Sequence, residues 1–254
     1  MVCSYGFSVE LLAETASFRD PGGQLYHSTF PLPPVSTIVG IAGAALGFSF
    51  QQVWEYSCEN MIAVGVKDIS LQERGKPPGK GLDLWKYQKI VTKEVRSDIL
   101  KREFIFQPAY RLYYSCRNLD TLEVLNQAFR SPAWALSLGT SDDLALIKEI
   151  SPIEQINEIP GGSVDLSHSL IPGDQSDNFL FNWEVITKEP IAISLALPMV
   201  KKLPVQFFFE TNGKRKGSKY QTFTFLAEFH SLKNPCPAYS FGHDIISLFQ
   251  LENG

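Results

Sequence analysis

Nine of the chain's 23 lysines and arginines fall between Arg74 and Arg102. They are Arg74, Lys76, Lys80, Lys86, Lys89, Lys93, Arg96, Lys101 and Arg102. Only Asp83, Glu94 and Asp98 oppose them, so the segment carries +6 and the rest of the chain −10. Trp85 and Tyr87 stand inside the run. Lysine and arginine neutralise phosphates and release counterions, and an aromatic ring offers unstacked bases a face worth roughly 1–3 kcal/mol each. This mix is the one single-stranded RNA binding requires. Phosphates respond to local potential, so a net charge of −4 is no obstacle. Two plainer readings stay open: a solvated charged loop, and packing of Trp85 and Tyr87 onto their own domain or a neighbouring subunit. Pro77, Pro78, Gly79 and Gly81 predict a mobile start to the segment.

A second set of polar groups lies upstream, in TASFRDPGGQLYHSTFPLPPVST. Arg19 offers a forked donor set for phosphate, and Tyr26-His27 share its Pro/Gly-rich loop. Ser36 and Thr37 add hydroxyls at a helix start, where amides point outward. The alternative is that Ser36 or Thr37 caps the helix and Arg19 pairs with the acidic body. Ser141, Asp142 and Asp143 read as a capped first helical turn, not a metal pair.

Phe7, Val9 and Leu11 alternate with more polar neighbours, which predicts a first strand. A helix over Thr37–Leu46 follows, in which Gly40, Gly43 and Gly47 permit close packing on a sheet. A short helix around Gln51–Cys58, a strand over Met61–Val66, the basic insertion and a strand from Glu103 to Cys116 broken at Pro108 come next. Asn118 or Asp120 caps a helix through Leu122, Leu125 and Phe129. Trp134–Leu138 is then expected as a strand and Asp142–Ile150 as a brief helix. The order strand, helix, strand, insertion, strand, helix, strand is that of an α+β, ferredoxin-like fold of the RRM type, with the basic arm at 70–102. Residues 1–150 form this domain in the reading, and 151–254 a smaller β-rich region. There Ile191–Leu197 and Val205–Glu210 look extended, and Asn212-Gly213 marks a hairpin tip between Phe207 and Phe225.

With 44% hydrophobic residues the chain can bury a sizeable core. No apolar run reaches the roughly 18 residues a membrane span needs. The first basic residue is Arg19, so no secretory n-region is expected, and the protein reads as cytoplasmic. Cys3, Cys58, Cys116 and Cys236 are scattered, and His27, His168, His230 and His243 lie at no ligand spacing to them. Neither metal nor other cofactor is expected.

The run ASFRDPGGQLYHSTFPLPPVSTIVGIAGAALG, then PAYRLYYSC, then SPAWALSLGTSDDLALI, resembles the CRISPR-associated Cas-five family of repeat-associated RNA-binding proteins. The signature elements are Ala16 to Arg19, Pro33 to Thr37 with Gly40, and Gly139 with Ser141 to Leu144. The resemblance implies a ferredoxin-like palm, a thumb-like arm and a seat on the crRNA 5′ handle within a type I Cascade complex. The implied partners are Cas-seven backbone subunits, a Cas-eight type large subunit and, through the assembled complex, target DNA. Arg19, Tyr26, His27, Ser36, Thr37, Arg74, Lys76, Lys80, Trp85, Lys86, Tyr87, Lys89, Lys93, Arg96 and Arg111 form the expected RNA-binding set.

One subtype of that family cleaves precursor crRNA without metal, through Tyr, Lys and His. His27, Tyr26, Lys86 and Tyr87 could supply such acid/base groups. The arm, however, lacks histidine and the chain lacks an adjacent Lys-His pair, which favours a binding subunit. A free-standing RNA-recognition domain is a third class, and its aromatic strand signature is missing.

Overall fold

The computed structural model describes residues 5–23, 26–91, 94–181, 183, 198–211, 213–226 and 230–252. The mixed α/β architecture is rich in strands and sparing in helices. Its principal sheet runs in the order Ala145–Ile150, Tyr5–Ala13, Ala109–Cys116, Ala63–Asp68, Ser169–Pro172, Arg215–Leu226 and Met199–Phe209. Every neighbouring pair is antiparallel.

Tyr5–Ala13 and Ala63–Asp68 therefore run parallel on either side of Ala109–Cys116. Helix α1 (Val35–Leu46) lies between them in sequence, followed by α2 (Phe50–Glu59). After α3 (Ser70–Arg74), α4 (Leu119–Arg130) makes the equivalent crossover from Ala109–Cys116 to Ala145–Ile150, so two βαβ units interlock.

Period-two alternation explains the layers. Phe7, Val9, Leu11, Tyr110, Leu112, Tyr114, Val64 and Val66 are buried in one core with Ile38, Val39 and Ala42 of α1 and Leu122, Leu125 and Phe129 of α4. Each large apolar side chain buried there contributes about 1.5–3 kcal/mol. The two tyrosines keep their hydroxyls paired: Tyr114 donates to Ile38 O and Tyr110 to Pro31 O, both at 2.9 Å. Gly43 does allow close approach, but of α1 to α2, since a Cβ there would stand 2.8 Å from Val53.

The opposite face of the sheet is covered by the chain's own C-terminal part. Tyr113 packs edge-on against Phe241 at 5.1 Å. Asp244 accepts from Lys67 Nζ at 2.9 Å, from the Tyr113 hydroxyl at 2.8 Å and from Arg111. Arg111 also holds Glu10, its cross-strand partner, through Nε at 3.0 Å. An RNA-recognition domain leaves such a face open for bases; here it is occupied.

Several expectations need correction. Trp134–Leu138 is not a strand: Trp134 N donates to Ala44 O at the end of α1, and Leu138 O accepts from Ser17 N. Ala145–Ile150, expected as helix, is the strand that completes the sheet edge. The helix α1 is not capped by Ser36 or Thr37, because Pro34 is its N-cap and no side chain closes the end. Asn118, by contrast, caps α4, accepting from Asp120 N at 2.9 Å. The Phe207–Phe225 hairpin is present, as Met199–Phe209 with Arg215–Leu226. Ile191–Leu197 and Cys3 lie outside the described residues, while Cys58, Cys116 and Cys236 are buried thiols.

Candidate nucleic-acid interface

The basic insertion is a hairpin of two 13-residue strands, Gly79–Val91 and Glu94–Phe106. Its start is not a mobile tether, since Gly79 and Gly81 pair with Phe106 and Phe104. The hairpin base joins a small sheet with Thr15–Ala16 and Tyr26–His27. That pairing brings the two chemically promising stretches of sequence together.

The register decides which side chains meet. Asp83 lies opposite Arg102, Trp85 opposite Leu100 and Tyr87 opposite Asp98, so these share one face of the ribbon. Lys86, opposite Ile99, points to the other face, along with Lys80, Leu82 and Leu84. His27 aligns with Arg102 across the parallel pairing. The result is a cleft of about 180 Å³ lined by Ser17, Arg19, His27, Thr29, Trp85, Arg102, Glu103 and Thr140.

Arg102 is the centre of the cleft. Its Nη2 donates to Asp83 at 2.8 Å and its guanidinium stands 4.8 Å from the centroid of Trp85. Its Nε and Nη1 are buried and meet no acceptor among the described residues. The bond to Asp83, with Asp143 and Asp142 nearby, holds Arg102 above its ordinary range. Arg19 is exposed, with its backbone bridged to Thr29. His27 is pushed below the usual imidazole value by partial burial and by the charges of Arg19 and Arg102. The cleft thus offers two guanidiniums, a neutral imidazole, hydroxyls and a half-exposed indole, a set suited to a phosphate next to a base.

One buried carboxylate fixes the wall. Asp143 accepts from Thr15 Oγ1 at 2.5 Å, from Ser17 Oγ at 2.8 Å and from Thr140 Oγ1 at 2.8 Å. Ser17 N reaches Leu138 O at 3.0 Å. Gly139 sits at φ +115°, and a Cβ there would lie 1.8 Å from Ser17 O. The Ala16–Arg19 and Gly139–Leu144 motifs therefore clasp each other, and Asp143 is the clasp between them, not a carboxylate in a first helical turn.

Of the other expected ligands, Tyr26 leaves the cleft, its hydroxyl donating to Glu103 at 2.6 Å, which raises its pKa. Tyr87 donates to Asp98 farther along the ribbon. Lys76 and Lys80 are exposed near the hairpin base. Ser36 and Thr37 are half-buried in the first turn of α1 and do not line the cleft. Arg74 donates to Ala13 O at 3.0 Å, and Arg111 is held by Glu10 and Asp244, so both are committed to the body of the protein. Lys89 and Arg96 pair by backbone near the hairpin tip, and Lys93 lies outside the described residues. Arg102 is the cleft residue that the sequence reading left out of its binding set; the alternation of Glu94–Phe106 against Gly79–Val91 was the signal that would have singled it out. Among the described residues no three His, Cys, Asp or Glu side chains converge as a metal site would require.

A CRISPR protein from Archaeoglobus fulgidus has a similar fold, with TM-score 0.55 at 10% identity over 97% of this chain and 99% of that one. A chain of a CRISPR RNA-guided surveillance complex aligns at TM-score 0.49 and 14% identity, over 91% of each chain. A further Cas protein is 20% identical with TM-score 0.35, covering 54% of this chain, which spans 57% of its length. No curated protein sequence matches significantly. The family model for CRISPR-associated protein (Cas5) matches residues 7–190, well over half of the sequence, and the chain belongs to that family.

Proposed function

We propose that this protein is the subunit of a CRISPR effector complex that binds and caps the crRNA 5′ handle. In this reading the interlocked βαβ units are a ferredoxin-like palm and the Gly79–Phe106 hairpin is the thumb. The handle enters the cleft between them, and Cas-seven type backbone and Cas-eight type large subunits adjoin it during RNA-guided DNA targeting. The observation that carries the reading is Arg102, which lines a cleft with Arg19 and Trp85 and has two buried nitrogens that meet no acceptor among the described residues. A buried guanidinium with unmet donors is costly unless an acceptor arrives, and a phosphate oxygen is the matching acceptor.

Binding of labelled handle RNA and a scrambled control tests this, with the whole chain and with the reconstituted complex. Arg19→Ala should weaken handle binding about tenfold and lower the log–log salt slope by about 0.7, the value for one phosphate contact on a single strand. Trp85→Ala should cost roughly 1–3 kcal/mol with little change of slope. Equal affinity of the parent for both RNAs, or parental behaviour of both variants, would remove the cleft from consideration.

A second reading draws on one feature. His27 is kept neutral between two guanidiniums, the arrangement a general base for a 2′-hydroxyl would need beside a cation for the developing charge. Incubation with repeat RNA in chelator discriminates the two. A single discrete product lost in His27→Ala identifies a ribonuclease; uncut RNA leaves the capping role.

A further inference from the structure

The first hairpin is not the only concentration of positive charge. Residues 199–226 hold six basic side chains, Lys201, Lys202, Lys214, Arg215, Lys216 and Lys219, against Glu210 alone, a local charge of +5. Outside these two hairpins, Gly79–Phe106 and 199–226, the chain carries 10 basic and 22 acidic residues. The second hairpin forms the outer edge of the principal sheet, away from the Ala145–Ile150 edge.

Its basic residues divide into two groups. Lys201 binds Asp20 at 2.7 Å, and the Arg215 guanidinium stacks 4.2 Å from the ring centroid of Phe207 and 4.9 Å from that of Phe50 on α2. These contacts fasten the ribbon to the body at both ends. Lys202, Lys216 and Lys219 are exposed and form no ion pair among the described residues. Beside them two aromatic side chains stand in solvent, Phe208 at 42% and Tyr220 at 59% exposure. The register sets them on two faces of the ribbon: Lys219, with Nζ 5.8 Å from the Phe208 ring, lies on the face of Phe208, Tyr220 and Lys202 lie on the other, and Lys216 sits at a bulge opposite Phe208 and Phe209.

We infer that this second hairpin is a separate contact site for a single strand of nucleic acid that wraps the ribbon, with Lys202, Lys216 and Lys219 on phosphates and with Tyr220 on one face and Phe208 on the other against bases. An acidic protein would leave the exposed rings unused, and a duplex hides its base faces, whereas an unpaired strand uses both kinds of group. The bond from Lys201 to Asp20 sets the ribbon next to the loop that bears Arg19. The inference stands on the charge and exposure of this ribbon and does not need the cleft to hold a crRNA handle.

The test is fluorescence anisotropy with the whole chain, over a salt series, using labelled oligo(U), oligo(dT) and a DNA duplex. The triple reversal K202E/K216E/K219E should weaken single-strand binding at least tenfold and lower the salt slope by about 2, as loss of three contacts at about 0.7 each requires. Tyr220→Ala should weaken it about five- to tenfold at unchanged slope. Loss confined to oligo(U) assigns the surface to RNA, and loss confined to oligo(dT) assigns it to displaced or target DNA. Trp85→Ala in the same assay reports on the cleft, so failure there with an intact hairpin effect separates the two sites. Parental affinity and slope in a triple variant of unchanged thermal midpoint would overturn the inference. So would equal losses on duplex with a silent Tyr220→Ala. Should the reversal fail to fold, the Lys→Gln triple is read in the same way.

Discussion

The clasp at Asp143 makes the most demanding prediction. Asp143→Ala removes the acceptor for three hydroxyls, those of Thr15, Ser17 and Thr140, in a site where the carboxylate is 3% exposed. A hydrogen bond to a charged group is worth about 1.5–3 kcal/mol, but the threonines are partly solvated and recover some of it from water. The expected net loss is about 3–5 kcal/mol. At roughly 2–4 °C per kcal/mol for a chain of this size, the thermal midpoint should fall by about 6–20 °C. Asp143→Asn keeps the shape and one acceptor, and hydroxyls can turn to accept from its amide, so about 1–2 kcal/mol is expected. The assay is thermal unfolding followed by circular dichroism, with handle affinity measured at a temperature where each variant is folded. Because the clasp positions the loop bearing Arg19, affinity should fall along with stability. A midpoint within about 2 °C of the parent for Asp143→Ala would refute the argument.

Gly139→Ala should disturb the same clasp from the other side, with refolding yield falling and handle affinity dropping about tenfold or more, because its Cβ would collide with Ser17 O. Arg111→Ala removes the cation that Glu10 and Asp244 share, leaving Asp244 with Lys67 and Glu10 with Lys148, and a loss of about 1.5–3 kcal/mol in denaturant unfolding is expected, with little effect on RNA affinity corrected for folding. Burial raises Asp68 from 3.8 to about 6, against the opposing bond from Ser70 N. Since the folded state then holds a proton that the unfolded state has released, this group's contribution is largest below about pH 4 and is lost as pH rises through 6. Asp68→Asn should therefore raise the thermal midpoint at pH 7.5, by the equivalent of about 1–3 kcal/mol, and much less at pH 4. An equal shift at both values would contradict the assignment.

The cleft and the covered sheet face together say where binding chemistry can reside. The RNA-recognition use of this topology exposes aromatic side chains on the sheet. Here Tyr113 meets Phe241 and Arg111 is locked between carboxylates. Aromatic and basic groups appear instead on two hairpins, Gly79–Phe106 and Met199–Leu226, the second of them the outer edge of the principal sheet. Burying the sheet face stabilises the fold, and ribbons supply the surface that polyanion binding requires.

Some of this was determined by sequence alone, because it depends on neighbours along the chain. Period-two alternation marked Tyr5–Ala13, a β-branched run over Met61–Val66 marked the strand found at Ala63–Asp68, Asn118 announced its helix, and Asn212-Gly213 announced the hairpin between Phe207 and Phe225. The excess charge between Arg74 and Arg102 needed only counting. What the local pattern could not supply was pairing across long separations. Ala145–Ile150 carries its own alternation, yet Ser141, Asp142 and Asp143 read locally as the start of a helix. Only the contact between Asp143 and residues about 126 positions away shows them as a clasp. Arg111 was legible as a cation in a strand, and its partner Glu10, 101 residues distant, decided that it serves the core. Arg102 was one of nine basic residues until strand register set it beside Trp85 and the pairing with Tyr26–His27 closed the cleft. Residue type fixes what a side chain can bind, but the closure of long loops into a sheet decides which of several identical side chains is left with donors unmet.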